Sequence, residues 1–385
     1  MPAHRWNLRY EESLMLSNLN LTNFTVFKKA NLRFSEGLNV IVGENGTGKT
    51  HLLKLGYLIS TIWETQVKDR SSFISKESIE RHVSERLLHI FKPERIGNLT
   101  TGGSRKGTSV NGTVTGSIPT VTIRMPHEPP MPPMDDEITW AFQFSDRAET
   151  KVSIDQLPER LTSNAIYGRS VYLPSKEMIS FFEGFISLYE TRELSFDETF
   201  RDLAVKLSSP RLKERPEFIG KLLERLGNAI GGDVILEGGR FYTVYTVRGK
   251  KRQRREITLL AEGLRKLATI MQLLDNGSLQ PGGTLFWDEP ETNLNPRLIK
   301  LVAEALFLLC CHGIQVILAT HSLFLLRELE ILSGKEEFQN VGQRYFALKT
   351  TSGGVIISQG GTPEDIDPLI LLDESLEQSD RFLAI

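Results

Sequence analysis

Asp288 and Glu289 stand side by side where an apolar run ends, in the stretch "LFWDEPETNLNP" at 285–296. Leu285, Phe286 and Trp287 read as the end of a buried strand. Side chains alternate along a strand, so the two acids are expected to do different work. Charge at such a place is costly unless something positive meets it. The stretch "GENGTGKT" at 43–50 calls for a matching ligand, because it fits G-x-x-x-x-G-K-[ST], the P-loop. In that pattern the backbone of Gly43, Glu44, Asn45, Gly46, Thr47 and Gly48, with the following helix N-terminus, cradles phosphate oxygens. Lys49 reaches the β and γ phosphates, and the Thr50 hydroxyl is a magnesium ligand. The positive partner of the acids is then Mg2+ carried on a nucleotide triphosphate. Asp288 would hold that ion, mostly through water, as the Walker B carboxylate, and Glu289 would polarise the attacking water. A scaffold that only bound nucleotide would not need the second acid, so the pair argues for hydrolysis.

The flanks agree with this chemistry. Residues 38–42 read as a buried strand, and a helix starting near Gly48 carries Leu52, Leu53, Leu55, Leu58 and Ile59. Upstream, "LMLSNLNLTNFTVFKKANLRF" alternates like antiparallel strands. Residues 97–119 are rich in Gly, Ser and Thr and 127–137 in Pro, which predicts long hairpin tips or loops; "TVTIRM" at 120–125 and "ITWAFQFS" at 138–145 alternate as strands. Residues 176–230 turn helical, a short β pair follows, and then come the helical segment "LLAEGLRKLATIMQLLDNG", the opening strand, a helix from Pro296 and the strand "GIQVILATHS". Strands alternating with helices predict an α/β fold with a mainly parallel sheet, carrying a β-rich insertion and a helical lobe. The expected divisions are 1–91 (N-terminal lobe with the P-loop), 92–175 (β-rich insertion and continuation of the core), 176–256 (helical lobe and basic hairpin), 257–361 (second half of the core) and 362–385 (acidic tail).

"ATHS" at 319–322 closes another apolar strand, and there His321 is expected to contact the γ phosphate and help hold the attacking water. The order of P-loop, "LLAEGLRKL", "DEPETNLNP" and "ATHS" resembles an ABC-type ATPase, more narrowly its soluble SMC/RecF/OLD-like branch. Within that branch it is most similar to the stand-alone ATPase subunits of bacterial anti-phage defence systems of the PARIS or Septu type. The matching motifs lie within 17–58 and 258–359. The resemblance implies an ABC-ATPase head that works as a homodimer or higher homo-oligomer, with a signature loop from one subunit capping the γ phosphate held by the other. That loop reads Leu260-Ala261-Glu262-Gly263 where Leu-Ser-x-Gly is usual, so the serine hydroxyl is missing; Gly263, the helix N-terminus, Arg265 and Lys266 remain to meet the phosphate. Asn293 and Asn295 correspond to the D-loop, either crossing the dimer interface or only making the turn, and Pro296 suits the first position of the next helix. "VYLPSKEMI" takes the place of the Q-loop without its glutamine, which leaves Lys176 or Glu177 as a nucleotide sensor. Phe24 or Phe27 would stack on adenine or belong to the core.

The bulk composition narrows the partners. The chain has 385 residues, 24% charged and 40% hydrophobic, with a net charge of −2, so no global field draws it to nucleic acid or membrane. Adjacent Cys310 and Cys311 make no disulfide framework and read as small core thiols. With no apolar leader and no apolar run near the roughly 20 residues a bilayer span needs, a cytoplasmic location is expected. One local attraction stands out: "RGKKRQRRE" at 248–256 puts Arg248, Lys250, Lys251, Arg252, Arg254 and Arg255 on an expected hairpin tip, as a patch for nucleic acid or an acidic protein or as a solvated loop. No aromatic residue interleaves the run, which argues against base stacking there. The acidic C-terminal tail would cap the core or dock on a partner. Three functions compete. The first is an ATP-driven switch in anti-phage defence controlling a separate nuclease or toxin, since too little chain follows His321 for a nuclease domain. The second is a RecF-like DNA-repair ATPase, without the heptad arms of an SMC rod. The third, a transporter's nucleotide-binding subunit, is disfavoured by the altered signature and the missing Q-loop glutamine.

Overall fold

The structure is a computed structural model, and it describes residues 15–66, 75–102, 107–117, 135–156, 170–247, 251–367 and 370–383. The first half runs β1 (Met15–Phe24), β2 (Phe27–Arg33), β3 (Leu38–Gly43), α1 (Lys49–Gln66), α2 (Lys76–Phe91), β4 (Thr108–Ser117), β5 (Asp135–Phe144), β6 (Ser153–Gln156) and β7 (Val171–Leu173). A helical stretch follows with α3 (Phe185–Thr191), α4 (Glu198–Leu207) and α5 (Glu217–Ile230), then β8 (Asp233–Glu237), β9 (Arg240–Val247) and β10 (Lys251–Glu256). The last third holds α6 (Glu262–Asp275), β11 (Thr284–Asp288), α7 (Pro296–Cys311), β12 (Gln315–Thr320), α8 (Leu323–Ser333), β13 (Gln343–Thr351), β14 (Gly354–Gly360) and α9 (Ile370–Leu383).

Among the described residues, a six-stranded sheet in the order β14-β13-β3-β12-β11-β7 forms the centre. All its pairs are parallel except β13 with β14. Strands β3, β7, β11 and β12 are buried along their whole length, as strands covered on two faces must be. Val40, Val42, Leu285, Trp287, Val316 and Leu318 pack into one core with helices that include α4 to α8. The alternating residues Ile41, Phe286, Ile317 and Ala319 pack into a second core with α1 and the antiparallel sheet β2-β1-β4-β5-β6. Helix α1 is therefore wedged between the two sheets. Its Leu52, Leu53, Leu55, Leu58 and Ile59 are all buried, each contributing roughly 1.5–3 kcal/mol over an exposed position. A charged network ties α1 to the helical stretch: Lys54 pairs with Asp197 at 2.7 Å, and Asp202 takes both Arg86 of α2 at 2.7 Å and the Tyr57 hydroxyl at 2.8 Å.

Several expectations change here. The Gly/Ser/Thr-rich stretch is not all loop: β4 lies within it and pairs with both β1 and β5. Two-sided pairing and the burial of Val110 and Val114 outweigh its poor strand propensity. Gly112 there is a close-approach position, since a Cβ would sit 2.7 Å from Ile59 of α1. Of the strands in 92–175, β4, β5 and β6 extend the sheet of β1, while β7 joins the central sheet beside β11. The expected strand at 120–125 lies outside the described residues. The basic run is not a hairpin tip over most of its length: Lys251–Glu256 is strand β10, paired with β9, while Arg248 and Lys250 lie outside the described residues. Aromatic rings do accompany it, supplied by the neighbouring strand, with Arg254 4.8 Å over Tyr242 and Arg255 5.3 Å over Tyr245. Acids accompany it as well, since Arg254 pairs with Glu237 at 2.9 Å. Cys311 is exposed rather than a core thiol. In α9, Phe382 and Leu383 are exposed, so this end of the acidic tail does not cap the core.

Candidate active site

Strands β3, β12 and β11 are neighbours, with Ile41 opposite Ala319 and Ala319 opposite Asp288. Their carboxyl ends therefore deliver the P-loop, His321 and the acidic pair to one edge of the sheet, the edge where open parallel sheets bind ligands. Positive φ values of 82° at Gly46 and 88° at Gly48 fold the loop. The Thr47 hydroxyl donates to the Glu44 carbonyl at 2.8 Å. Lys49 Nζ folds back on the loop and donates to the carbonyls of Gly43 at 2.8 Å and Glu44 at 2.9 Å. Burial lowers the Lys49 pKa, and the nearby carboxylates, led by Glu289 and Asp288, oppose that.

Thr50 and Asp288 are already joined: the Thr50 hydroxyl donates to Asp288 Oδ2 at 2.8 Å. Asp288 Oδ1 is buried and has no hydrogen-bond partner among the described residues. Burial pushes this carboxyl up to about 6, with Glu289 adding to the rise and the Thr50 bond, Lys54 and Lys49 opposing it. A hydroxyl and a carboxylate held together, with one carboxylate oxygen unsatisfied, suit a hard divalent cation such as Mg2+.

The chain leaves the strand at Asp288, and it is not strand alternation that separates the acids. Glu289 has φ 49°, a left-handed conformation uncommon outside glycine, and its N–H bonds the Ala319 carbonyl at 2.9 Å. Its Oε1 lies 3.2 Å from His321 Nδ1, and its Oε2 accepts the Thr292 hydroxyl at 3.2 Å. Glu291 is the residue that sequence reasoning missed. It is buried, accepts the Thr320 hydroxyl at 2.7 Å and the His321 N–H at 3.2 Å, and lies 3.7 Å from His321 Nδ1. The signal was a third acid two residues past Glu289.

The other motif residues gather beside this edge, with different partners from those expected. Gly263 packs on the turn after β11, where a Cβ would meet the Asn293 carbonyl at 2.6 Å, so the signature and D-loop segments are one packed unit. Ala261 and Asn293 are exposed, and Asn293 has φ 63°. Asn295 caps α7, accepting the Leu298 N–H at 3.1 Å, with Pro296 as the first helical residue. Glu262 lies in the first turn of α6. Arg265 and Lys266 are engaged within their own chain rather than held out toward another. Arg265 Nε lies 2.8 Å from Glu177 Oε1, and its Nη1 donates to the Leu260 carbonyl at 2.9 Å. Lys266 is buried and donates to the Glu289 carbonyl at 3.1 Å; burial lowers its pKa against the pull of Glu291, Glu262, Glu289 and Asp288. Glu177 is thus bound to the α6 helix, whereas Lys176 is exposed. Phe24 and Phe27 are fully buried, so neither is placed to stack on adenine.

A sequence family described as "AAA domain, putative AbiEii toxin, Type IV TA system" matches residues 132–327. The chain belongs to this family. A second profile, described as "AAA ATPase domain", matches residues 15–92 of the same AAA protein. It is also 43% identical over 47 residues to the DNA replication and repair protein RecF of Geobacillus kaustophilus, a match covering 12% of this chain and 13% of that protein. With RecF of Lachnoclostridium phytofermentans it is 25% identical over 99 residues, covering 26% and 28%. These stretches span less than a third of either RecF protein. Two solved structures share the fold: an SMC head bound to the C-terminal winged-helix domain of ScpA (TM-score 0.51, 13% identity, 91% of this chain and 98% of that one) and a Pyrococcus furiosus SMC head bound to the C-terminal domain of ScpA (0.50, 14%, 96% and 99%). The AAA domain is thus built as an SMC-type ABC-ATPase head, and no helix among its described residues is long and apolar enough to cross a membrane.

Proposed function

We propose that the protein binds Mg–ATP on its P-loop and hydrolyses it, that two copies close over composite ATP sites, and that this cycle controls a separate effector, a nuclease or toxin, in anti-phage defence within the cytoplasm. The observation that carries the hydrolytic part is the convergence of Lys49, the Thr50–Asp288 pair and the Glu289–His321 pair on one sheet edge. Thr50 and Asp288 would hold magnesium, which when bound neutralises charge on the β and γ phosphates. Lys49 exchanges its two carbonyl partners for phosphate oxygens. Glu289 accepts the proton of the attacking water, and His321 holds Glu289 and the water in register. The dimer reading is supported by the exposed Ala261 and Asn293 and by the packing of Gly263 on Asn293, which presents signature and D-loop together. The effector reading draws support from the family description, which speaks of a toxin and a toxin–antitoxin system. The SMC heads in the two structures bind another protein, ScpA, which fits a head of this kind acting on a partner.

A RecF-like DNA-maintenance ATPase is the second reading, favoured by the RecF matches and by basic strand β10. The acids beside that strand weaken it. Glu289→Gln is the first experiment. The variant should bind ATP and hydrolyse it at least ~100-fold more slowly, in line with general-base losses. Trapped with ATP and purified from cells carrying the native neighbouring genes, it should bring down a stoichiometric effector protein. Hydrolysis at the wild-type rate refutes the catalytic assignment. Bound DNA without a protein partner, with hydrolysis stimulated by DNA, establishes the RecF-like reading instead.

A further inference from the structure

His321 is held by little of its own. Its side chain is 46% exposed, and its polar contacts among the described residues are two carboxylates, both on Nδ1: Glu289 at 3.2 Å and Glu291 at 3.7 Å. Glu291 differs from its neighbour in also gripping the backbone that carries the ring. One oxygen, Oε1, accepts the His321 N–H at 3.2 Å and the Thr320 hydroxyl at 2.7 Å. That hydroxyl in turn accepts the Ser322 N–H at 2.9 Å, and the Ser322 hydroxyl caps α8 by accepting the Leu325 N–H at 3.2 Å. A single buried carboxylate thus fixes three consecutive residues at the end of β12 from the turn that follows β11. The turn needs only one neutral acceptor to be tied this way. A charged group with its second oxygen, Oε2, buried and unpartnered among the described residues is an expensive choice for that task alone.

We propose that Glu291 is a positioning residue for His321: it sets the imidazole with Nδ1 toward the two carboxylates and Nε2 toward the nucleotide. A ring whose Nδ1–H is committed to a carboxylate keeps one tautomer and one orientation, and the second ring nitrogen is then free to act. Glu289 cannot do this alone, because it must remain free to take a proton during turnover. The proposal rests on the reading of His321 as part of the hydrolytic machinery.

The test is a double-mutant cycle on the full-length chain, reading kcat and the ATP Kd separately. Glu291→Gln should lower kcat by roughly 10–100-fold, the loss typical of outer-shell orienting groups, with the ATP Kd unchanged within about threefold. In a His321→Ala background the same substitution should add less than about twofold, because the group it positions is gone. Equal losses in both backgrounds would mean a purely structural tie and overturn the proposal. So would a wild-type kcat for Glu291→Gln when His321→Ala itself is slow. If His321→Ala turns over at the wild-type rate, the role of His321 fails first and the positioning role with it. Should the Gln variant not accumulate, Glu291→Asp keeps the charge and withdraws the oxygen by one methylene, and it must show the same dependence on His321.

Discussion

Asp288→Asn separates the energetic burden of the site from its use. The Asp288 carboxyl is raised from 3.8 to about 6, mainly by burial. Keeping the group charged at neutral pH therefore costs the fold about 3 kcal/mol. At 6% exposure the group is deep enough that solvent screening does not discount the figure. The sign follows from linkage: a carboxyl that binds its proton more tightly in the folded chain burdens the fold above its raised value and is relieved as pH falls toward 3.8. Asparagine keeps an acceptor for the Thr50 hydroxyl and removes the charge. It also places an amide donor where Oδ1 has no partner, at a pH-independent cost of about 1–3 kcal/mol. The readable quantity is therefore the change with pH, not the absolute Tm. Thermal melts of wild type and variant, without nucleotide and in EDTA, would be compared at pH 7.5 and pH 4.5. The burden relieved between them is about 2 kcal/mol, so over 385 residues the Tm of the variant relative to wild type should fall by about 2–3 °C on acidification. A Tm difference that stays constant across this range would refute the claim that burial holds the Asp288 carboxyl above its ordinary value.

Three further outcomes follow from the same geometry. Lys49→Ala should abolish measurable ATP binding by calorimetry while leaving the fold intact, because Lys49 is the one cationic side chain in the loop sequence 43–50 and the backbone N–H groups alone do not offset the β and γ charge; retained affinity would show that the nucleotide sits elsewhere. Gly263→Ala places a Cβ 2.6 Å from the Asn293 carbonyl, so it should weaken ATP-dependent dimerisation in sedimentation experiments while ATP affinity changes by less than about threefold; a dimer of wild-type strength would mean that the packing of these two segments is not used between subunits. Arg265→Ala leaves Glu177 buried without its cation, with only Ser180 donating to it, and should destabilise the protein by about 3 kcal/mol, seen as a lowered denaturant midpoint.

The candidate site at the sheet edge was legible because each piece of it is local. A glycine-rich loop between strand and helix, an acid pair after three apolar residues, and a histidine after another apolar run are patterns a few residues long. What the sequence concealed depends on pairing across the chain. Strand β4 has loop composition, and only its two neighbours and the nearby α1 make it a strand. The basic run lacks aromatic residues in sequence, yet β9 sets Tyr242 and Tyr245 beside it. Arg265 and Lys266 read as charge offered to another subunit, because nothing in their order reveals Glu177 or the Glu289 carbonyl as partners. Glu291 stood in plain view within "DEPE", but its work is done on residues 29 and 30 positions away, which no local pattern encodes.

The acids that end β11 are met by cationic groups of the chain itself. Lys49 and Lys266 both lie in their field, and both are buried deeply enough for desolvation to lower their pKa. Lys266 is committed to the Glu289 carbonyl and so braces the strained residue proposed above as the base. Among the described residues Lys49 is hydrogen-bonded to two loop carbonyls, each bond from such a charged donor worth about 1.5–3 kcal/mol. A ligand that enters must replace both. A neutral molecule offers nothing that a carbonyl does not, whereas a triphosphate offers full negative charge and can bring the cation that the unpartnered oxygen of Asp288 needs. The bonds of Lys49 are thus ones that a metal-loaded triphosphate is suited to replace, as the proposed Mg–ATP cycle requires.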